Sequence, residues 1–480
     1  MSRFTSLSML PYRDLWTLYG PGPAAYGSII MRLFGPGTLP VRLGFLAVHA
    51  ALALVVYLLA RRFVGTWASI AVSVPVATFA ASQFHFHFTW SLLLVLSGIW
   101  FVLRAEGSTR HGALTAVGTC LMGASFWGRY EFVPFGVAIV LLVWWWRRPS
   151  MGRSGWVVLT AGLAPPVIFV AYLVGVVGVE RVWLDLIEYP VRYYPLPACR
   201  GLPSVWGAAW DSLIAPLRGR IWTGQDIVLA GGTFGPPLVG AAVLAGGLRR
   251  WRDRDARGLA MTLIGCCVGF IWLELRARAG AEPEPVWAPM MVAIAMLAPR
   301  HRRARGLALV LLSALIAFTV VTSWLPAHLP AWTSWPPYDP RYGYADLDET
   351  FMFDRRKWEG LARVVHQHAP PDARVFISLK ENTGHFANMA VLYWVVDRPP
   401  GSRYIGLAPC LTDRTPVQRE IVHELMDTDV VIQTAYFGQE PPPFAPPPTI
   451  LDDYLREHFE VVYRDSVLYQ DDVLVLLRRQ

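Results

Sequence analysis

The positive charge of this chain arrives in short arginine bursts, each closing a long apolar run and each falling on every second connection. The bursts are Arg61-Arg62, Arg104 to Arg110, Arg147 to Arg153, Arg249 to Arg257 and Arg300 to Arg305. Short arginine-rich loops stay on the cytoplasmic side of a membrane, so the pattern predicts a polytopic α-helical membrane protein and also its orientation. Composition agrees: 54% of the residues are hydrophobic, 16% are charged and 21 are Trp, far from a soluble average. The net charge of +8 comes mostly from the bursts. They mark sidedness and form no continuous stripe, so membrane lipid is an expected partner and nucleic acid is not.

Apolar stretches able to cross a ~30 Å hydrocarbon core run roughly over 40–60, 66–83, 88–104, 112–128, 131–146, 155–178, 226–248, 258–275, 285–299 and 305–325. Spanning backbone must satisfy its own hydrogen bonds, so these are read as about ten transmembrane helices, with Pro165-Pro166 tolerated inside a bundle. Threading them through the cytoplasmic bursts sends residues 1–40, 83–88, 128–131, 179–225, 276–284 and everything after 325 to the outer face. The N-terminus therefore lies outside, yet no signal-like apolar stretch precedes Tyr12. One reading is a first transmembrane helix missing upstream of Met1; the other is a short tail translocated with the first hairpin.

After Trp324 the texture changes. A Pro- and Tyr-rich linker over 326–345 leads into a region of soluble composition over 346–480, separate from the transmembrane part over 1–325. Arg374 to Ser378 and Val430 to Gln433 read as short buried strands, Pro416 to Met426 as an amphipathic helix, and Val461 to Tyr463 with Val473 to Leu477 as a closing hairpin. Strands alternating with helices predict a small C-terminal α/β domain on the outer side. Pro441 to Pro448 reads as a loop. Cys120, Cys266 and Cys267 lie in apolar runs as small core residues, whereas Cys199 and Cys410 both fall outside and are free to pair or not.

The first outer segment reads Leu10-Pro11-Tyr12-Arg13-Asp14-Leu15-Trp16, then Tyr19-Gly20-Pro21-Gly22-Pro23, then an amphipathic stretch from Ala25 to Phe34 ending at Gly35, with Arg42 opening the next helix. This order resembles the first periplasmic loop of bacterial GT-C membrane glycosyltransferases, relatives of dolichyl-phosphate-mannose protein mannosyltransferases and of the lipid A aminoarabinose transferase. The resemblance continues through Tyr57-Leu58-Leu59-Ala60-Arg61-Arg62-Phe63-Val64-Gly65. It returns in Leu392-Tyr393-Trp394, Asp397 to Tyr404, Pro416 to Ile421 and Leu451-Asp452-Asp453-Tyr454 of the tail. It implies a GT-C-like fold in the cytoplasmic membrane and inverting transfer of one sugar from a polyprenyl-phosphate donor to a lipid, glycan or protein acceptor on the outer face.

The resemblance also implies that the acidic residue of the first loop works beside the acceptor hydroxyl, as general base or as part of a metal site. Asp14 is the only acid in this loop, so the role falls on it. The chemistry is sound, because an alcohol becomes a competent nucleophile when its proton leaves as the new bond forms. The rival reading has Asp14 capping the amphipathic helix or pairing with Arg13. A departing polyprenyl phosphate needs cations. Arg13, Arg129, Arg181, Arg192 and Arg278 are the candidates, while Tyr12, Tyr19, His85, His87 and Glu131 are candidate lining of an acceptor cavity.

Arg129 and Glu131 sit at the outer junction of two spans, where an ionisable pair is a functional candidate by default; the alternative is an arginine snorkelling to lipid phosphate. Where relatives carry an Asp and a His before a Pro-containing helix, this chain has Arg276, Arg278, Glu282 and Glu284. The outer loop over 180–225 holds Glu180, Asp185, Glu188, Tyr193 and Tyr194 beside its two candidate arginines. His85 and His87 are two residues apart and diverge on a helix, which disfavours a two-histidine metal site. If a divalent cation is used, Asp14 and Glu131 are its first ligands to test. His385 and Asn388 suit either a glycan contact or a capped turn. No phosphate-binding glycine loop, nucleophile elbow or zinc-binding His-Glu motif occurs. Two other functions compete: a transporter or flippase for a lipid-linked saccharide, and an inactive scaffold. A transporter favours ionisable groups near the midplane; here, apart from His49 and Glu274, charge collects at helix ends.

Overall fold

The computed structural model describes residues 9, 12–15, 20–35, 38–79, 86–152, 154–184, 187–188, 214, 224–251, 255–277, 284–298, 355–379, 392–393, 396–405, 411–412, 414–434, 449–468 and 471–479. The tenth apolar run, the linker, Cys199, Cys410, His385, Asn388 and the 441–448 proline loop lie outside them.

Helices stand where nine of the apolar runs place them. After the amphipathic α1 (Gly22–Phe34) come α2 (Thr38–Ala60), α3 (Thr66–Phe79), α4 (Phe86–Arg104) and α5 (His111–Gly123). A 3₁₀ turn (Ala124–Trp127) leads to α6 (Phe132–Met151) and α7 (Ser154–Val177), followed by the short α8 (Val179–Trp183). The last three of this set are α9 (Gly224–Arg250), α10 (Ala256–Ala277) and α11 (Glu284–Leu297). Among the described residues, Leu43–Ala60, His87–Arg104, Ser154–Val177 and Ala256–Leu273 are long and apolar enough to cross a membrane, and Thr66–Ala77 and Val286–Leu297 are shorter apolar helices.

The bundle packs through small residues as well as large ones. Leu92, Val95, Leu96 and Ile99 of α4 are fully buried in its core, while Val157, Val167 and Ile168 of α7 and Leu54 of α2 face outward, as lipid-facing residues do. Where α5 meets α7, a Cβ on Gly123 would stand 1.8 Å from the Gly162 carbonyl oxygen. Two backbones this close require glycine, the small-residue packing typical of helices in lipid. Cys267 is buried and Cys266 partly so, both in α10, as their apolar surroundings predict.

One end of the bundle carries the arginine bursts. There Arg62 donates to the Leu103 carbonyl (2.8 Å), Arg147 to the Val102 carbonyl and to Glu106 (3.1 Å each), and Arg257 to the Met296 carbonyl (3.1 Å). The last carbonyls of a helix have no partner within it, and guanidinium groups satisfy them while matching the negative end of the helix dipole.

The C-terminal region forms a four-stranded sheet of order β1-β2-β4-β3. Its strands are β1 (Val375–Leu379), β2 (Val430–Thr434), β3 (Phe459–Leu468) and β4 (Asp471–Arg478). β1 and β2 are parallel, with Val375 opposite Val430, and the other pairs are antiparallel. Alternation along β1 and β2 buries both faces, which parallel strands require. Val375, Ile377, Val430 and Ile432 pack with Leu361 and Val365 of α12 (Arg355–His368). Phe376 and Val431 pack with Ile421 of α13 (Thr415–Glu424) and with Leu451 and Leu455 of α14 (Ile450–His458). Helices α12 and α14 are additions to the sequence reading. Their signals were a Leu361-Ala362-Val365 stripe and a Thr449/Asp452 capping box, which closes with Thr449 Oγ1 accepting from the Asp452 N–H and Asp452 accepting from the Thr449 N–H.

The end of the bundle opposite the bursts shares one hydrophobic cluster with the sheet, and the first loop enters a second. Tyr12, Phe126, Tyr130, Phe169 and Leu173 pack in one cluster with Phe376, Tyr404 and Val417, and Leu15 is fully buried in the other, among α12, β1 and β2. The Tyr12–Leu15 turn thus lies between the two units.

Candidate active site at the junction

The turn is tight. The Tyr12 N–H donates to the Leu15 carbonyl at 2.7 Å, and Tyr12 takes φ 71°, a left-handed conformation uncommon for a residue with a side chain. Its buried ring meets Phe169 edge-on at 6.1 Å, and Phe169 stacks on Phe126 at 4.3 Å. The next stretch of the loop is joined to the α5–α6 corner: the Gly20 N–H donates to the Gly128 carbonyl at 2.9 Å. A Cβ on Gly20 would fall 2.3 Å from the Phe126 carbonyl oxygen, so the Gly20-Pro21-Gly22-Pro23 signal is a close approach of two backbones. From there α1 lies against the bundle, with the Tyr26 hydroxyl donating to the Gly44 carbonyl and the ring edge-on to Trp90. Ile29, Leu33 and Phe34 of α1 are exposed, the pattern of an interfacial amphipathic helix.

Asp14 faces Arg13. Nε and one terminal nitrogen of Arg13 donate to the two carboxylate oxygens at 2.8 and 2.7 Å, a bidentate pair with about a quarter of Asp14 and half of Arg13 exposed. The hydrogen bond to Asp14, and then its charge, push the Arg13 guanidinium up from its ordinary value. The helix-capping role does not hold, because α1 has Pro21 at its N-cap and no side-chain cap. The pairing with Arg13 does.

Arg129 and Glu131 form the second pair, at 3.0 Å, and both are largely buried. The Arg129 guanidinium also lies 4.2 Å over the Phe88 ring. It is enclosed between the start of α4 and the start of α6, so it does not snorkel to lipid. A buried pair of this kind is held by mutual need: either partner alone is an uncompensated charge. Arg181, on α8, makes an ion pair with Glu420 of α13, and Glu420 also accepts from the Tyr404 hydroxyl at 3.1 Å. Of the candidate cations, Arg13, Arg129 and Arg181 thus come to the junction already paired.

His87 lies partly buried in the first turn of α4, its backbone carbonyl against Gly128. Tyr19, His85, Asp185, Arg192 and Arg278 fall outside the described residues, as do the side chains of Arg276 and Glu274. His49 ties α2 to α4: Nδ1 donates to the Phe45 carbonyl (3.0 Å), which leaves Nε2 to accept from the Thr89 hydroxyl (3.0 Å). The sequence reading missed Leu15 and Glu420, which link the two units. An apolar residue three positions after Tyr12 in an outward loop was the available signal for the first.

Among the described residues the fit for a divalent cation is poor. Asp14 and Glu131 are each held by a guanidinium, and no three His, Cys, Asp or Glu side chains cluster with metal-ligand geometry among the described residues.

No protein-family model and no curated protein matches the sequence. Solved structures do. ArnT from Cupriavidus metallidurans in the apo state aligns over 99% of this chain and 91% of its own, with a TM-score of 0.52 and 14% identity. The same protein bound to undecaprenyl phosphate aligns over 99% and 92%, again at 0.52 and 14%. The Archaeoglobus fulgidus oligosaccharyltransferase in complex with Zn and sulfate aligns over 88% of this chain and 60% of its own, at a TM-score of 0.44 and 14% identity. At such identity the ArnT match speaks for architecture: the chain has the GT-C fold of polytopic membrane glycosyltransferases.

Proposed function

We propose that this protein is an inverting membrane glycosyltransferase that moves a sugar from a polyprenyl-phosphate donor to an acceptor on the outer face of the cytoplasmic membrane. The observation that carries the reading is the Arg13-Asp14 turn, held at the junction of a GT-C bundle and its C-terminal sheet. That the ArnT neighbour was crystallised with undecaprenyl phosphate supports the donor class.

In this reading the Asp14 carboxylate takes the proton of the acceptor hydroxyl as its oxygen bonds to the anomeric carbon. The bond from that carbon to the phosphate oxygen breaks on the opposite side, and its electron pair leaves with the polyprenyl phosphate. The growing phosphate charge is met by guanidinium groups, with Arg13, next to Asp14 in sequence, and Arg129, Arg181, Arg192 and Arg278 as the candidates. Preformed ion pairs suit this role: the anionic phosphodiester of the donor competes for a guanidinium, more strongly as its charge grows toward that of the departing monoester, and a guanidinium that turns to phosphate frees its carboxylate to act as base. Tyr12, Tyr19, His85, His87 and Glu131 are the proposed surroundings of the acceptor. Residues 346–480 form the extracytoplasmic domain of this scheme.

The test is to give the purified protein, in proteoliposomes, a polyprenyl phosphate carrying a labelled sugar, and to follow the label chemically. Release of unlabelled polyprenyl phosphate together with label bonded to a new acceptor is the expected result. Label that crosses the bilayer still attached to its lipid would replace this reading with a transporter.

A further inference from the structure

The turn that carries Asp14 is anchored at both ends, and in different cores. Tyr12 is buried against Phe126 and Phe169 of the bundle. Leu15, three residues on, is fully buried in the C-terminal core with Leu361, Val365, Ile377 and Ile432. The 2.7 Å hydrogen bond from the Tyr12 N–H to the Leu15 carbonyl closes the turn between these pegs, and Arg13 and Asp14 are its polar tip. Neither unit alone fixes the tip. Tyr12 sits in the cluster that bundle and sheet share, with Phe126 and Phe169 on one side and Phe376 and Tyr404 on the other, while Leu15 is held by the C-terminal core alone.

We propose that Leu15 is a positioning residue for Asp14, and that the C-terminal sheet is, through it, a structural part of the transfer site. The inference rests on the function proposed above, and adds that the soluble region sets the geometry of the base. Reacting groups must be held within a fraction of an ångström, and a displacement of about 1 Å can cost on the order of a hundredfold in rate. Leu15 makes no contact with the substrates in this scheme. It acts by removing the freedom of the turn.

The test uses the full-length protein in lipid nanodiscs and the series Leu15→Met, Leu15→Val and Leu15→Ala. Amide hydrogen exchange is read for the peptide covering residues 9–15, with the peptides covering 375–379 and 430–434 reporting whether the sheet remains folded. In parallel, kcat and KM are measured for a polyprenyl-phosphate sugar. The expected result is faster exchange at residues 12–15 in the order Met, Val, Ala, with strand exchange unchanged. Over the same series kcat falls to between about a tenth and a hundredth in the Ala variant, while KM for the donor stays within about twofold and Met remains near wild type. Exchange at 12–15 that does not respond to the series overturns the inference, as does a looser turn with unchanged kcat. If the strands of the Ala variant also loosen, the Val and Met variants decide by the same two criteria. A wild-type protein that transfers no sugar, with exchange behaving as expected, overturns the glycosyltransferase reading and leaves Leu15 as a structural peg only.

Discussion

The two ends of the bundle use arginine in different proportions. At the end carrying the bursts, guanidinium groups point mainly at helix carbonyls, Arg62 to Leu103, Arg147 to Val102 and Arg257 to Met296, with Arg147 and Arg250 also pairing with Glu106 and Asp255. The bonds to carbonyls complete the ends of helices. At the other end, Arg13, Arg129 and Arg181 are paired with Asp14, Glu131 and Glu420, and Arg181–Glu420 joins the bundle to the C-terminal sheet. A carbonyl that loses its arginine is merely an unsatisfied acceptor, whereas an ion pair that opens yields a cation and a carboxylate, each with chemistry of its own. The same residue type therefore mostly caps helix carbonyls at one end and forms only ion pairs at the other among the residues compared, and it is the latter that the proposed mechanism uses.

The sharpest test of that contrast is Arg129→Ala. It strands a largely buried carboxylate, and breaking such a pair costs about 3–5 kcal/mol, so the melting temperature in detergent is expected to fall by many degrees. Replacing both partners, Arg129→Met with Glu131→Leu, restores the melting temperature without restoring sugar transfer. Recovery of transfer in the double variant would reduce the pair to a packing element. At the opposite end, Arg147→Ala removes bonds to the Val102 carbonyl and to Glu106, at a cost of about 1–3 kcal/mol. Transfer per folded molecule is expected to stay within about twofold of wild type, and a selective loss of kcat would break the division between the ends.

The smallest effect belongs to Asp255, between α9 and α10. Burial raises its carboxyl, but the Arg257 N–H and the Arg250 guanidinium (3.0 and 2.8 Å), with the charges of both arginines, outweigh that, and the net shift is downward. A lowered carboxyl contributes stability above its unfolded value and loses it as pH falls through the folded one. The pair is more than a third exposed, so Asp255→Asn is expected to cost under about 1 kcal/mol near neutrality. Melting temperatures of variant and wild type should converge in acid. A gap that persists there would assign the effect to packing.

Much of the membrane part was legible because its physics is local. An apolar run and an arginine burst state where a helix lies and where it stops, and α2 ending at Ala60 before Arg61-Arg62 is a direct case. The strands in Arg374 to Ser378 and Val430 to Gln433 were legible for the same reason: a short continuous apolar run, the mark of a strand buried on both faces, is written in adjacent residues. The junction was not. Leu15 meets Leu361 across more than three hundred positions, and Arg181 meets Glu420 across more than two hundred. No periodicity encodes such contacts. The candidate Asp14 was found through loop order and resemblance, and the structure adds the bidentate hold of Arg13 on it. That hold is compatible with a structural pair and with a poised base.

One substitution separates those two readings. Transfer of labelled sugar from polyprenyl phosphate is compared in proteoliposomes holding equal amounts of wild-type protein and Asp14→Asn, with melting temperature as the control for folding. The Asn side chain keeps the size and one acceptor oxygen but cannot take a proton. The proposed mechanism predicts that kcat falls by about 10²–10⁴-fold while the protein stays folded and binds the donor. Transfer at the wild-type rate in folded Asp14→Asn would contradict it, and leave Asp14 as the partner of Arg13 and nothing more.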